Sequence, residues 1–166
     1  MKRYLLLAAI TVTVVTAGAS FTTAAPGARQ DKDEEKRVRM KDLPAAVQKT
    51  VREQSQGAVI RGLARETENG KTNYEVELRV NGHNKDVLID PSGAVVEVEE
   101  QVTLASLPAA ARTAIEQNAG GGKIVGVESI TEGNVLTSYE AHVRKAGKSR
   151  EIKVDPAGRL IPKGRG

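Results

Sequence analysis

The chain has 166 residues, a formal net charge of +4, no cysteine and few aromatic side chains (three Tyr, one Phe). That length suits one compact domain or two small ones, and the missing thiols exclude disulfides, cysteine nucleophiles, cysteine-ligated metals and lipid acylation of a leader cysteine. The charges alternate in sign and the aromatics are scarce, which excludes a nucleic-acid groove built from a basic stripe and stacking platforms.

The first element is a leader rather than part of a fold. Lys2 and Arg3 precede an apolar run, Leu5 to Val15, and then the small residues Ala17, Gly18 and Ala19. This pattern predicts a Sec-type signal peptide over 1–19, cleaved after Ala19 or near Ala24. The apolar run is well short of the ~20 residues that span a bilayer, so an uncleaved anchor is disfavoured and no stable membrane span is expected after cleavage. Residues 20–41 are polar, and Asp31 to Lys41 is almost wholly charged. Such a run cannot bury enough apolar surface to order itself, so it reads as a flexible leader.

Two segments then follow the same plan, 42–100 and 101–166, the second with a short basic tail. Each opens on a predicted helix. Leu43, Val47 and Val51, like Leu107, Ala111 and Ile115, are spaced i, i+4, i+8 and form one apolar stripe. Pro44 and Pro108 suit a first helical turn, Asp42 and Ser106 stand just upstream as candidate caps, and Gly57 and Gly120 to Gly122 end the helices. Strands are predicted next, over 59–67 and 123–131, with Gly62 and Gly126 marking a bulge or a close approach of helix to sheet. Asn69-Gly70 and Asn81-Gly82 are two-residue hairpin signals. Between them Tyr74, Val76, Leu78 and Val80 alternate with Glu75, Glu77 and Arg79; the later counterpart sets Tyr139, Ala141 and Val143 against Glu140, His142 and Arg144. Asp90-Pro91-Ser92-Gly93 and Asp155-Pro156-Ala157-Gly158 have the residue preferences of a type I turn. A fourth strand is expected at 94–99, and less clearly at 159–161.

The recurrences fall in order: Leu-Pro-Ala-Ala at 43 and 107, the Gly57, Ile60, Gly62 set again at 121, 124 and 126, Tyr-Glu at 74 and 139, and Asp-Pro-x-Gly at 90 and 155. They indicate an internal duplication. The expected fold is α+β: a tandem repeat of one helix plus an antiparallel meander of three or four strands, the helices packed on the apolar face of the sheet and the other face charged and wet.

The ordered motifs in both copies resemble the PepSY-like family, also described as β-lactamase-inhibitor-like. The resemblance covers everything after the leader. It implies an exported helix-on-sheet domain without catalytic residues, acting as a module that restrains a peptidase or senses a ligand in the periplasm.

Site by site, the residues favour scaffold over chemistry. Gly120-Gly121-Gly122-Lys123 is not a phosphate loop, because residue 117 is Gln, residue 124 is Ile and the run follows a helix. Asp90, Gly93, Asp155 and Gly158 read as structural turn residues, one aspartate per turn being too few oxygens for calcium. Glu140 and His142 share a strand face, but a metal would want a further ligand, so no metal site and no cofactor is expected. No serine, histidine and acid stand at hydrolase spacing, so no catalytic residue is assigned. The polar face of Glu75, Glu77, Arg79, Glu140, His142 and Arg144 is the candidate binding surface. The reading is a monomeric, periplasmic or secreted binding module that takes a protein or peptide partner on that face. A small-ligand or metal-sensing module is the alternative, to be tested by dialysis against zinc, copper, calcium and haem.

Overall fold

The computed structural model describes residues 34–68 and 70–162. The predicted signal peptide, the leader up to 33, Asn69 and residues 163–166 of the short basic tail lie outside the described residues. Among the described residues, eight strands form one antiparallel sheet in chain order, from β1 to β8. They are β1 (Glu34–Arg37), β2 (Val59–Glu68), β3 (Lys71–Val80), β4 (His83–Ile89), β5 (Val95–Gln101), β6 (Lys123–Glu132), β7 (Val135–Lys145) and β8 (Lys148–Val154). Helix α1 (Ala45–Gln54) lies between β1 and β2 in sequence, and α2 (Ala109–Asn118) between β5 and β6. Each helix is preceded by a short 3-10 turn, Met40–Asp42 and Leu104–Ser106. Ala45 to Ala109 and Val59 to Lys123 are both steps of 64 residues, and His83 to Lys148 is a step of 65.

The helical stripes are buried as their spacing requires. Leu43, Val47 and Val51 form one apolar cluster with Val76, Leu78, Val87 and Ile89. Leu107, Ala111 and Ile115 form a second with Val127, Tyr139, Ala141, Val143, Ile152 and Val154. Each fully buried Val, Leu or Ile contributes about 1.5–3 kcal/mol, so the clusters carry most of the stability of a chain that has no cross-links. Tyr139 is buried and Tyr74 packs against the first cluster, in phase with their neighbours along the strand.

Several boundaries differ from the sequence reading. The charged run is not wholly leader: Glu34–Arg37 is strand β1, paired from Glu34↔Thr67 to Arg37↔Ala64. An edge strand needs only backbone partners on one side, so composition alone does not forbid it. Whether the two meanders join, which the sequence leaves open, is decided by β5: it pairs with β4 on one side and β6 on the other, so the sheet is continuous. Glu100 and Gln101, at the boundary between the two predicted segments, are the last residues of that central strand. The expected strand at 159–161 is reduced to a bridge between Val154 and Leu160.

The caps also differ. Pro44 and Pro108 are themselves the N-cap residues, and no side chain among the described residues caps either helix. The 3-10 turn consumes the residue expected to cap: Asp42 is bonded to Arg39 at 2.7 Å, and Ser106 Oγ donates to the Thr103 carbonyl at 2.7 Å. The two Asp-Pro turns tuck under the helices instead. In the first, Asp90 Oδ1 accepts from the amides of Ser92 and Ala94 at 2.8 and 3.0 Å. In the second, Asp155 Oδ1 accepts from the Arg159 amide at 2.9 Å. These bonds hold both carboxyls below the usual carboxylate range, that of Asp90 chiefly through the Ser92 side chain and that of Asp155 chiefly through the Arg159 amide. Gly93 and Gly158 have φ of +91° and +82°. A Cβ on Gly158 would lie 2.6 Å from the Ala110 carbonyl oxygen, and one on Gly93 would lie 3.0 Å from Ala46, so both positions require glycine twice over.

Candidate functional site

Strand alternation places a second set of side chains on the face away from the two apolar clusters. Reading across the sheet, one row runs Glu77, Asp86, Glu99, Ile130, Ser138 on β3 to β7. A second runs Glu75, Leu88, Glu97, Glu132 on β3 to β6. A third runs Gln101, Glu128, Glu140, Lys153 on β5 to β8. A fourth sets Gly126, His142 and Glu151 side by side. The face is therefore dominated by carboxylates on a chain whose net charge is positive.

The six residues expected to bind are on this face but form two groups. Glu75, Glu77 and Arg79 belong to β3, and Glu140, His142 and Arg144 to β7. Four strand spacings, about 19 Å, separate them. The residues between them, Asp86, Glu97, Glu99, Glu128 and Glu132, are the ones sequence reasoning missed. Their signal was present as alternation in Val-Val-Glu-Val-Glu-Glu-Gln over 95–101, but nothing in it says that this strand is central.

The expectation of a wet outer face also needs correction. Ala64, Glu75, Ile130 and Ser138 on this face are buried, and Glu97 and Glu140 are half-buried. Burial, then the neighbouring carboxylates Glu99 and Glu132, push the Glu97 carboxyl up to about 7. Glu140 is raised too, by burial first and then by Glu151 and Glu99. Arg37 pairs with Glu77 at 2.8 Å, and its guanidinium lies over Gly62, where any Cβ would collide with it. Gly62 thus makes room for an arginine from β1, not for a helix. Both predicted glycine irregularities are bulges, between Ile60 and Gly62 and between Ile124 and Gly126. Arg79 is exposed and donates to Asn84 Oδ1 at 2.6 Å; Arg144 is exposed near the end of β7.

The histidines differ in setting. His83 opens β4 and lies 2.9 Å from Glu100 Oε1. His142 Nε2 is 3.2 Å from Glu128 Oε2, and its Nδ1 is 4.0 Å from Glu151 Oε1. The bond to Glu128 outweighs burial and holds the His142 pKa above its ordinary value. Glu140, His142 and Glu151 each offer a ligand atom, all within 4.8 Å of one another. The sequence reading asked for one further ligand beside Glu140 and His142; Glu151, across the hairpin, is in that position.

An open antiparallel sheet laid down in chain order, with two short helices, is a fold shared with a group of solved Bacteroides structures. A protein from Bacteroides eggerthii, described as periplasmic, is 20% identical with a TM-score of 0.60, over 72% of this chain and 86% of that one. A DUF2874 family protein from Bacteroides uniformis is 21% identical with a TM-score of 0.58, over 72% and 87%. A BLIP-like protein from Bacteroides fragilis is 20% identical with a TM-score of 0.54, over 72% and 84%. At these identities the likeness is one of fold. No family profile and no curated protein matches the chain. Among the described residues, no helix is long and apolar enough to cross a membrane.

Proposed function

We propose that the chain is an exported, non-catalytic binding module that takes a cationic protein or peptide on its carboxylate face. The observation that carries this reading is the register. Glu77 lies opposite Asp86 and Asp86 opposite Glu99; Glu97 lies opposite Glu132 and Glu128 opposite Glu140. Like charges directly opposite each other destabilise a sheet, and the cations that stand among these, Arg37 at Glu77, His142 at Glu128 and Lys153 opposite Glu140, are fewer than the carboxylates. The net negative field of the rows draws a positively charged partner and gives its association speed and specificity. The Bacteroides fold neighbours described as periplasmic, together with the signal-like pattern of 1–19, support export to the periplasm. The BLIP-like neighbour supports a protein as the partner class, a peptidase or another enzyme included. Each histidine is engaged with a glutamate rather than with a serine hydroxyl, which favours binding over hydrolysis. The matching element order of the two halves supports descent from one duplicated PepSY-like unit, one helix over each half of the sheet.

Crosslinking in the envelope fraction tests the proposal. The wild-type chain should capture a basic partner, and the Glu77→Lys, Glu99→Lys, Glu132→Lys triple variant should lose it. Capture that is indifferent both to this reversal and to about 0.5 M salt, where exposed charges are screened within a few ångström, refutes it.

A further inference from the structure

The two halves solve the same electrostatic problem differently at their bulges. In the first, Gly62 faces Glu77, and Arg37 on the neighbouring strand supplies a cation to Glu77 at 2.8 Å. In the second, Gly126 faces His142, and the position 64 residues after Arg37 is Gln101. The second half has no arginine there; Glu128 stands where the first half has Ala64, and with Glu140 and Glu151 it surrounds His142 on three adjoining strands. From this geometry we infer that Glu140, His142 and Glu151, whose ligand atoms lie within 4.8 Å of one another, form a binding site for a divalent transition cation of the zinc class.

The donor set fits that class. One imidazole nitrogen and two carboxylate oxygens match the three-protein-ligand sites that zinc uses with solvent in the remaining position. Calcium takes oxygen ligands only and does not use an imidazole. A carboxylate also stands behind the imidazole. In the neutral ring, donation from Nε2–H to Glu128 at 3.2 Å leaves the Nδ1 lone pair on the side of Glu151. A carboxylate fixing the tautomer of a ligating histidine from behind is the usual support of such a centre. Gly126 puts no side chain beside the imidazole, and the adjoining bulge is of the kind that re-aims side chains at sites.

This inference stands apart from the proposed partner, and its test uses the chain alone. The untagged full chain is titrated with zinc chloride by calorimetry and with cobalt chloride by visible absorption, calcium chloride serving as the comparison ion. The chain holds only two histidines, so His83→Ala is an internal control. One zinc per chain is expected, with cobalt d–d bands and no competition from calcium. His142→Ala and Glu151→Gln should each weaken zinc by about 10-fold or more, while Glu128→Gln, which removes the carboxylate behind the His142 ring, should weaken it by roughly 10–100-fold. Circular dichroism checks the fold of each variant. Should His142→Ala unfold, Glu140→Gln and Glu151→Gln decide the matter. Absence of saturable one-to-one binding, or binding that folded ligand variants retain, overturns the site.

Discussion

Replacing Glu97 by glutamine should stabilise the protein, and do so only on the alkaline side. Glu97 is half-buried on central strand β5, with Leu88 and Glu132 as its cross-strand neighbours and Glu99 beside it on the same face. Its carboxyl sits at about 7 against an ordinary 4.5. Unscreened, that displacement is worth about 3 kcal/mol; for a group this open to solvent about 1–2 kcal/mol is the realistic share. The sign follows from proton counting. Between 4.5 and about 7 the folded state keeps a proton that the unfolded chain gives up, so stability falls as pH rises through this window. Below it both states are protonated and the cost vanishes; above it the cost is complete. Urea unfolding of wild type and Glu97→Gln at about pH 4 and about pH 8 measures the effect, the difference between the two proteins cancelling all other titrations. The expected gain is about 1–2 kcal/mol at the higher pH and close to zero at the lower. A loss at the higher pH, or an equal gain at both, refutes burial and like charge as the cause.

Three further substitutions test the scaffold. Gly158→Ala should cost at least about 2 kcal/mol in thermal or urea unfolding, since it combines a positive φ with a clash against the Ala110 carbonyl; a loss within about 0.5 kcal/mol would refute the close approach. Ala146 holds φ +48° in the last hairpin, where the corresponding residue of the first half is Asn81 at +46°. Ala146→Asn should therefore raise stability by roughly 0.5–1 kcal/mol, read as an upward shift in Tm. Ile115 is fully buried in α2, and Ile115→Ala should cost about 2–5 kcal/mol in urea.

The helices, the hairpins and the two Asp-Pro turns were legible because their signals are local. Apolar spacing from Leu43 to Val51, alternation from Tyr74 to Val80, and glycine or asparagine where φ turns positive each act within a few residues. The single sheet was not legible, because the β5–β6 junction rests on backbone pairing across α2, such as Glu99↔Ile130, which leaves no trace in side-chain pattern. Strand β1 escaped for the same reason: Glu-Glu-Lys-Arg carries solvation, not pairing, in its composition. The carboxylate rows need register as well as alternation, and register depends on loops. One part could have been counted in advance. A two-residue turn at Ala146-Gly147 pairs Lys145 with Lys148, and three steps back along each strand His142 meets Glu151. The third ligand was thus within reach of the sequence once that turn was given its length.

The order of the strands in the sheet has a consequence for how the molecule comes into being. Every strand finds its partner in the one just before it, so loop closure is repeatedly short and a chain delivered from its N-terminus need not wait for distant sequence. The sheet lengthens as the chain arrives, and β8 comes last. Glu151 rides on that strand, so the Glu140, His142 and Glu151 cluster assembles only on its docking, and its assembly marks the completion of the fold.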